Sequence, residues 1–411
     1  MLGTQKSVSR FTDVKVREAG VPRHQGKRGS AGRAQGISGS AVSAAQSPKA
    51  LHSYKSLFAW TREEIGRMEC GSFQRTPTRQ NWKVKTMKQI VLTMLALAIA
   101  FTAGCNTEQQ KEVYYLIANN VTLSYWQTVA NGFNEAAAQY KVTAKVVGPQ
   151  SYDPLGELDA LQQAVLDKPA GILISVADVS VLQREIDLAV QEGIPVITID
   201  SDAFISRRLY FIGTNNLEAG RLGGSRLVEK LGDKGNVVFF TIPGQPNIEE
   251  RLRGFKEVLN TQPGIKIADI VDIKDDASTA LDKAQRYMAL TGPQKIDAFV
   301  CLEAVSGKPV ADAIKRANVH GRELIAWDAD PGTLDAIKDG TIDATIAQKP
   351  YTMGFFGLKL LHEVFHAPPP QLNKDFRSDF YSPYPVFIDT GTTLVDRSNV
   401  DLYLSAAAAH K

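Results

Sequence analysis

The chain has 411 residues, of which 44% are hydrophobic and 22% are charged, so it is long and apolar enough for two domains and is not a generally disordered protein. Its net charge of +3 hides an asymmetry, because residues 1–86 hold 16 basic and 5 acidic residues whereas residues 87–411 hold 31 and 39. The larger part is acidic, with a net charge of −8, and gives no argument for nucleic-acid binding.

The first 105 residues read as an extension followed by an export signal. Residues 1–86 are rich in small and basic residues without a sustained helical or alternating pattern, which predicts a disordered basic extension. Residues 87–105 combine a positively charged start, an apolar run of 12 residues and small residues, the pattern of a secretory leader. Because leaders begin chains, we expect translation to start at Met87 and residues 1–86 not to be translated.

The leader ends at Cys105, and together they resemble a bacterial lipoprotein signal, in which this cysteine is lipidated and becomes the mature N-terminus. An ordinary cleaved signal with an incidental cysteine is the alternative. Residues 106–112 would then form a short tether. Of the remaining cysteines, only Cys301 lies beyond the leader, which excludes a disulfide framework in the mature chain.

From Val113 onward, apolar strands alternate with amphipathic helices joined by short connections. Such repetition predicts parallel sheets with helices on both faces, an α/β fold of two Rossmann-like lobes. We expect a first series of strand 113–118, helix 124–140, strand 142–148, helix 154–167, strand 170–175, helix 179–192 and strands 195–199 and 209–213. The second series comprises helix 216–231, strand 236–241, helix 247–260, strand 266–273, helix 277–290, strand 296–302, helix 305–317, strand 323–327, helix 332–338 and strand 343–347, before helix 351–366 and extended segments 385–388 and 392–395.

Polar and aromatic residues follow several of these strands. Asn119 begins the loop after the first strand, which also carries Tyr125 and Trp126, while Asp200 and Asp328 each end a later strand. In open α/β sheets, ligands collect beyond the carboxyl ends of the strands. The pattern predicts a small-molecule pocket, although the two aromatic residues could instead pack their helix onto the sheet.

The order and spacing of several phrases resemble the type I periplasmic sugar-binding proteins of ABC transporters, the ribose- and galactose-binding group. They include residues 193–200 (GIPVITID), 213–216 (GTNN), 251–255 (RLRGF), 326–328 (AWD) and 344–348 (ATIAQ). The resemblance covers roughly residues 113–395 and implies two lobes joined by three crossings near Thr214, Gln348 and Pro385. Lobe one would be residues 113–214 plus 349–385, and lobe two residues 215–348 plus 386–405.

The resemblance also implies a ligand site in the cleft between the lobes. Aromatic side chains would sandwich a sugar ring, carboxylates would accept from its hydroxyls, and an arginine and amides would complete the hydrogen bonds. Glu303 stands where ribose binders have an asparagine, so a sugar other than ribose is expected. The three carboxylates and the arginine leave the cleft at about −2, which favours neutral or cationic polyols over sugar phosphates. The implied ligand-binding residues are Asn119, Tyr125, Trp126, Asp200, Arg251, Glu303, Asp328 and Gln348.

Each of these residues also has a structural alternative. Arg251 could pair on a surface helix with Glu249 or Glu250, and Asp200 or Asp328 could cap helices. Asn119 and Gln348 could be solvated, and the role of Glu303 stays open.

A zinc-protease string occurs at residues 362–366, where His362 and His366 share a helix face and Glu363 could act as a base. No third ligand is evident, and the string precedes three prolines at the end of a helix. We therefore expect no metal, no cofactor and no catalysis, with an exported metallohydrolase as the outside alternative.

The function implied by the resemblance is an extracytoplasmic, lipid-anchored and monomeric receptor that closes over a neutral monosaccharide. Its partners would be the sugar, the membrane through its anchor and the permease of an ABC importer, but no nucleic acid. A sugar sensor that feeds a chemoreceptor or sensor kinase is the alternative within the same class.

Overall fold

The computed structural model describes residues 112–409, with side chains up to residue 407. The predicted extension 1–86, the leader 87–105 with its lipidation site Cys105, and the tether up to residue 111 lie outside the described residues. Within residues 112–409 the chain forms twelve strands and ten α-helices.

The strands form two sheets of six. The first sheet contains β1 (Val113–Ile117), β2 (Thr143–Val147), β3 (Gly171–Ile174), β4 (Val196–Ile199), β5 (Phe211–Gly213) and β11 (Phe387–Asp389), in the order β11-β5-β4-β3-β1-β2. The second contains β6 (Gly235–Thr241), β7 (Ile265–Asp272), β8 (Ala298–Cys301), β9 (Glu323–Trp327), β10 (Ala344–Ala347) and β12 (Thr393–Asp396), in the order β12-β10-β9-β8-β6-β7. The sequence-based prediction of two parallel α/β lobes is confirmed, except that β12 runs antiparallel to β10.

The helices divide between the sheets. The first lobe holds α1 (Ser124–Tyr140), α2 (Pro154–Leu166), α3 (Val179–Gln191) and α9 (Pro350–His366). The second holds α4 (Asn216–Leu231), α5 (Pro246–Leu259), α6 (Ala277–Met288), α7 (Gly307–Ala317), α8 (Pro331–Asp339) and α10 (Val400–Ala409). The last helix, α10, is not among the sequence-based predictions.

The apolar character of β1 follows from its position in the middle of a covered sheet. Tyr114 and Leu116 belong to a core on one face of the sheet, which also contains residues of α1 and α9. Tyr115 and Ile117 belong to a second core on the opposite face, with residues of α2 and α3. Successive side chains of a strand point to opposite faces, so helices on both sides require an uninterrupted apolar strand.

Short polar side chains begin several helices. Asp153 accepts a hydrogen bond from the backbone N–H of Leu155, and Pro154 occupies the first helical position of α2, which confirms the predicted cap. Asp178, Asp276 and other residues begin later helices in the same way. These caps satisfy backbone N–H groups of the first helical turn that have no partner within the helix.

The chain passes between the two sheets three times, between β5 and α4, between β10 and α9, and between β11 and β12. The expected third crossing near Pro385 is placed too early. Phe387 pairs with Phe211 of the first sheet and Asp389 pairs with Gly213, so the first lobe continues through β11. A strand of only three residues gives too short a pattern to reveal its sheet from sequence alone.

Candidate ligand-binding site

Three carboxyl groups implied by the resemblance follow the carboxyl ends of strands. Asp200 follows β4 and Asp328 follows β9, which occupy equivalent places in the two sheet orders, and Glu303 lies just after β8. Asp200 and Asp328 adopt left-handed φ values of 62° and 64°, and their backbone N–H groups donate to Ile212 and Ile346 of the neighbouring strands, each at 3.0 Å. Non-glycine residues adopt this conformation at a cost, least so for aspartate and asparagine. Asp200 and Asp328 therefore occupy equivalent positions, with the same backbone conformation, in the two lobes.

All eight residues implied by the resemblance line one cavity between the lobes: Asn119, Tyr125, Trp126, Asp200, Arg251, Glu303, Asp328 and Gln348. The cavity has a volume of about 50 Å³. Since one water needs about 10–15 Å³ on such a measure, the space holds only a few waters. A larger ligand therefore requires the walls to separate further.

Asp200 joins groups of both lobes. Its Oδ1 accepts from the Tyr125 hydroxyl at 2.8 Å, and its Oδ2 accepts from Nδ2 of Asn247, a residue of the second lobe, at 3.0 Å. The Arg251 guanidinium lies 3.9 Å from Oδ1. Burial raises the pKa of Asp200, while the charge of Arg251 and the hydrogen bonds from Tyr125 and Asn247 favour its ionised form.

Arg251 is buried at the base of the cavity, with 2% of its surface exposed. Its Nε donates to the Asn216 side chain and its Nη1 to the Leu302 carbonyl, both at 2.8 Å, and its guanidinium lies 4.3 Å from the centre of the Trp327 ring. Its Nη2 is buried without a hydrogen-bond partner in the described structure, although Asp200 lies nearby. A buried donor without an acceptor is costly, so this nitrogen is suited to a ligand oxygen.

The surface alternative for Arg251 is therefore wrong. The exposed arginine that pairs with Glu250 is Arg253, two residues further along the same helix. The capping alternatives for the two aspartates also fail, because α8 is capped by Asp330 and β4 leads to another strand rather than to a helix.

Glu303 accepts hydrogen bonds within the loop that precedes α7. Its carboxylate accepts from the backbone N–H groups of Val305 and Ser306 and from the Ser306 hydroxyl. Burial raises its pKa to about 7, although these hydrogen bonds oppose the shift. The side chain therefore both supports the helix start and lines the cavity.

Asp328 and Gln348 connect the cavity to the crossings between the lobes. Nε2 of Gln348 donates to Oδ1 of Asp328 at 2.8 Å, while Oε1 of Gln348 accepts from the Thr214 hydroxyl at 2.8 Å. Burial raises the pKa of Asp328 to about 7, against the charge of Arg251 and the hydrogen bond from Gln348. Gln348 and Asn119 are both buried, so neither side chain is exposed to bulk solvent, and the Asn119 side chain makes no hydrogen bond with the described residues.

The stability of the ligand-free protein should fall as the pH rises from about 4 to about 7. In that window the folded chain keeps a proton on Asp328 that the unfolded chain has released, and a pKa raised from 3.8 to about 7 corresponds to a loss on the order of 4 kcal/mol. Urea unfolding of the wild type and of Asp328→Asn at several pH values measures this effect. The substituted protein should lose less stability across the window, and equal losses in both proteins would contradict the assignment.

The two predicted aromatic residues differ in their surroundings. Trp126 is buried in the first-lobe core, whereas Tyr125 directs its hydroxyl to Asp200 and Met353. Their rings meet edge to face, with centres 5.3 Å apart and planes at 85°. Perpendicular neighbouring rings cannot sandwich a sugar between them, so that expectation is corrected: a ligand can stack on one of these faces at most.

Sequence reasoning missed the groups that join the lobes. Nδ2 of Asn120 in the first lobe donates to Asp275 in the second at 3.0 Å, and the Tyr152 backbone also donates to that carboxylate. Asn247 reaches Asp200 from the start of α5, and Gln245 lines the same cavity. All follow carboxyl ends of strands, so the strand-end rule could have found them, but polar residues at helix starts are too common to stand out.

Two lobes of this kind, with strand ends that face a shared cavity and three connecting crossings, define a two-lobed ligand-binding protein. The chain belongs to the family described as the periplasmic binding protein domain, whose model matches residues 114–367. This is a family of extracytoplasmic substrate-binding proteins and not of enzymes. Among residues 112–409, no helix combines the length and the apolar character needed to cross a bilayer.

Individual relatives agree with the family assignment. The ribose import binding protein of Salmonella typhimurium is 25% identical over 287 residues, which cover 68% of this chain and 93% of that protein. The crystal structure of a sugar-binding protein of a sugar ABC transporter from Bacillus halodurans is 34% identical with a TM-score of 0.62, covering 71% of this chain and 100% of that one. An arabinose-binding protein from Geobacillus stearothermophilus is 32% identical with a TM-score of 0.59, covering 71% and 99%.

Proposed function

We propose that this protein is the substrate-binding component of an ABC sugar importer and that it binds a neutral monosaccharide between its lobes. The observation that carries the proposal is the convergence of four carboxyl groups, those of Asp200, Asp275, Glu303 and Asp328, and one incompletely paired guanidinium on a single cavity. Related proteins are described as binding ribose, or xylose and arabinose. Vicinal sugar hydroxyls both donate and accept, which matches this mixture of groups.

The proposed roles follow from the present partners of each group. Asp200 and Asp328 would accept hydroxyl hydrogen bonds, Arg251 Nη2 would donate to a hydroxyl or ring oxygen, and the amide of Asn119 would do either. Glu303 would act through whichever oxygen the loop leaves accessible. Carboxyl groups repel a phosphate, so sugar phosphates should be rejected.

Binding would use the hinge between the lobes. The direct hydrogen bond between Asn247 and Asp200 occupies an oxygen that a sugar hydroxyl would need, and the cavity of about 50 Å³ is too small for a sugar ring as it stands. We infer that the lobes separate to admit the sugar and close with its hydroxyls between these groups. The Asn120–Asp275 contact would hold the closed form.

The remaining parts of the proposal concern the cellular setting. The protein would be exported by the leader at residues 87–105, anchored through a lipid on Cys105 and held by the tether at residues 106–112 outside the membrane. It would act as a monomer that delivers the sugar to an inner-membrane permease. No bond of the sugar would be broken.

A thermal-shift screen of the full chain against neutral pentoses, hexoses, polyols and sugar phosphates tests the function. At a concentration about 100 times its dissociation constant, the correct sugar should stabilise the protein by about 2.7 kcal/mol and raise the melting temperature by about 5 °C. The sugar should be recovered chemically unchanged. A response to none of the neutral compounds, or conversion of the sugar, would overturn the proposal.

A further inference from the structure

A second cluster of ligand-competent side chains lies at the other edge of the first sheet. Glu112 immediately precedes β1, whereas the cavity between the lobes begins after the carboxyl end of the same strand. Five residues of strand separate the two places, about 16 Å. The cluster therefore cannot take part in the proposed sugar site.

The cluster consists of Glu112 and the two histidines of the last turns of α9. The His362 Nδ1 lies 3.3 Å from Oε2 of Glu112, and the His366 Nε2 lies 3.1 Å from both carboxylate oxygens. One donor atom from each residue lies within 4.8 Å of the others. The carboxylate is the third ligand that the sequence did not reveal, because 250 residues of chain separate it from the helix.

The spacing suits a tetrahedral metal ion. With bonds of about 2.0–2.2 Å to nitrogen and oxygen, the ligand atoms of a tetrahedral site lie about 3.3–3.6 Å apart. The separation of 3.3 Å between His362 Nδ1 and the Glu112 carboxylate lies at the edge of that range, and the separation of 3.1 Å between His366 Nε2 and the same carboxylate lies just below it. Two imidazoles and one carboxylate are a donor set that Zn²⁺ accepts, with a water as the fourth ligand.

Neighbouring groups hold two of the three ligands in place. The buried Tyr114 hydroxyl donates to Oε2 of Glu112 at 3.2 Å, and the backbone carbonyl of Glu112 accepts from Thr143 in β2 at 2.9 Å. The Tyr140 ring packs against the His362 ring with centres 4.4 Å apart. Such outer partners orient metal ligands before the metal arrives.

The site is also accessible from solvent. The side chain of His366 is 52% exposed, that of Glu112 is 22% exposed and that of His362 is 18% exposed. An ion can therefore enter, and a water can complete its coordination. Substitution of His366 should not disturb the core.

We propose that Glu112, His362 and His366 form a binding site for Zn²⁺ or a similar divalent transition metal. The site joins Glu112, the first residue that the structure describes, to the end of α9, and a bound ion would cross-link the start of the first sheet to that helix. Its role is structural rather than hydrolytic. Glu363, the residue that would act as the base of a zinc-protease string, instead lines a separate cavity of about 710 Å³ bounded largely by residues 367–388.

Zinc titration of the full chain, purified without a polyhistidine tag and freed of metal with a chelator, tests the proposal. We expect one Zn²⁺ per chain by calorimetry, a higher melting temperature with Zn²⁺, and the visible absorption of tetrahedral Co²⁺ when cobalt replaces zinc. His366→Ala and Glu112→Gln should each weaken Zn²⁺ binding by about 100-fold or more. Both changes are at partly exposed side chains, so the metal-free proteins should melt like the wild type.

Two matched substitutions serve as controls. His320→Ala removes an exposed histidine of the second lobe, and Glu363→Gln removes the carboxylate of the string while leaving the three ligands. Both should bind Zn²⁺ as the wild type does. Absence of Zn²⁺ binding in the wild type, or unchanged binding after the loss of His366 or Glu112, would overturn the site and leave a hydrogen-bonded cluster. Because the readouts are metal binding and melting, their failure is independent of any sugar result.

Discussion

Replacing Arg251 by methionine should weaken sugar binding by about 30- to 5,000-fold, equivalent to about 2–5 kcal/mol. The guanidinium is buried, donates to Asn216 and Leu302, and holds one further nitrogen at the cavity without a hydrogen-bond partner in the described structure. Its removal takes away both that donor and the positive charge that favours the ionised form of Asp200. Calorimetric titration with the sugar found in the screen measures the loss.

The same helix supplies a matched control for this experiment. Arg253 is half exposed and, within residues 112–409, pairs only with Glu250, an exposed pair of the kind that contributes little. Arg253→Met should therefore bind the sugar as the wild type does. Arg251→Lys separates charge from geometry, because lysine keeps the charge but cannot reproduce the fork of donors. Sugar affinity within threefold of the wild type in Arg251→Met would show that the guanidinium does not contact the ligand.

The convergence of the site could be predicted because it depends on a property of the fold. Once Asp200 and Asp328 are recognised as strand-end residues, parallel pairing brings them to the same edge of their respective sheets. The resemblance then supplied the relation between the two lobes, which no local pattern contains. Arg251 could not be assigned to the site from local sequence, because its position in a helix also allowed an ion pair with Glu249 or Glu250 on the surface.

Contacts that depend on the distance between lobes could not be predicted in the same way. Asn120 is one of two amides in the loop of the predicted pocket and Asp275 looks like an ordinary loop residue, and only the closeness of the two lobes makes them partners. The angle between the Tyr125 and Trp126 rings depends on side-chain packing in the first-lobe core, so the resemblance implied a paired role for these rings that the geometry does not allow. The contact between Glu112 and the two α9 histidines likewise joins residues that are far apart in sequence.

Gly220 lies where α4 packs closely against α5. A Cβ atom at this position would lie 2.2 Å from the backbone carbonyl oxygen of Arg251, and one at Gly254 of α5 would lie 2.2 Å from that of Leu217. The two helices therefore touch backbone to backbone at reciprocal glycines. The first lobe repeats the arrangement between α1 and α9 at Gly132 and Gly354.

Gly220→Ala should destabilise the protein by roughly 1–3 kcal/mol and weaken sugar binding at the same time. Helix propensity alone predicts that Gly220→Ala would stabilise the protein, because alanine is favoured over glycine by about 1 kcal/mol in a helix interior. The steric term should prevail, since the atom that must move is main chain and cannot rotate away. Urea unfolding and calorimetric titration measure the two effects.

Ser225→Ala, at an exposed position of the same helix, is the control that should change neither stability nor sugar affinity.

The loss of binding in Gly220→Ala has a specific cause, because the carbonyl displaced by the new methyl group belongs to Arg251 itself. A shift of that backbone moves the guanidinium relative to Asp200, and the hydrogen bonds of the buried arginine with Asn216 and Leu302 leave it little freedom to compensate. A more stable protein with unchanged affinity would mean that α4 and α5 can separate without moving the site, so that the position of Arg251 would have to be set by its side-chain contacts rather than by the helix pair.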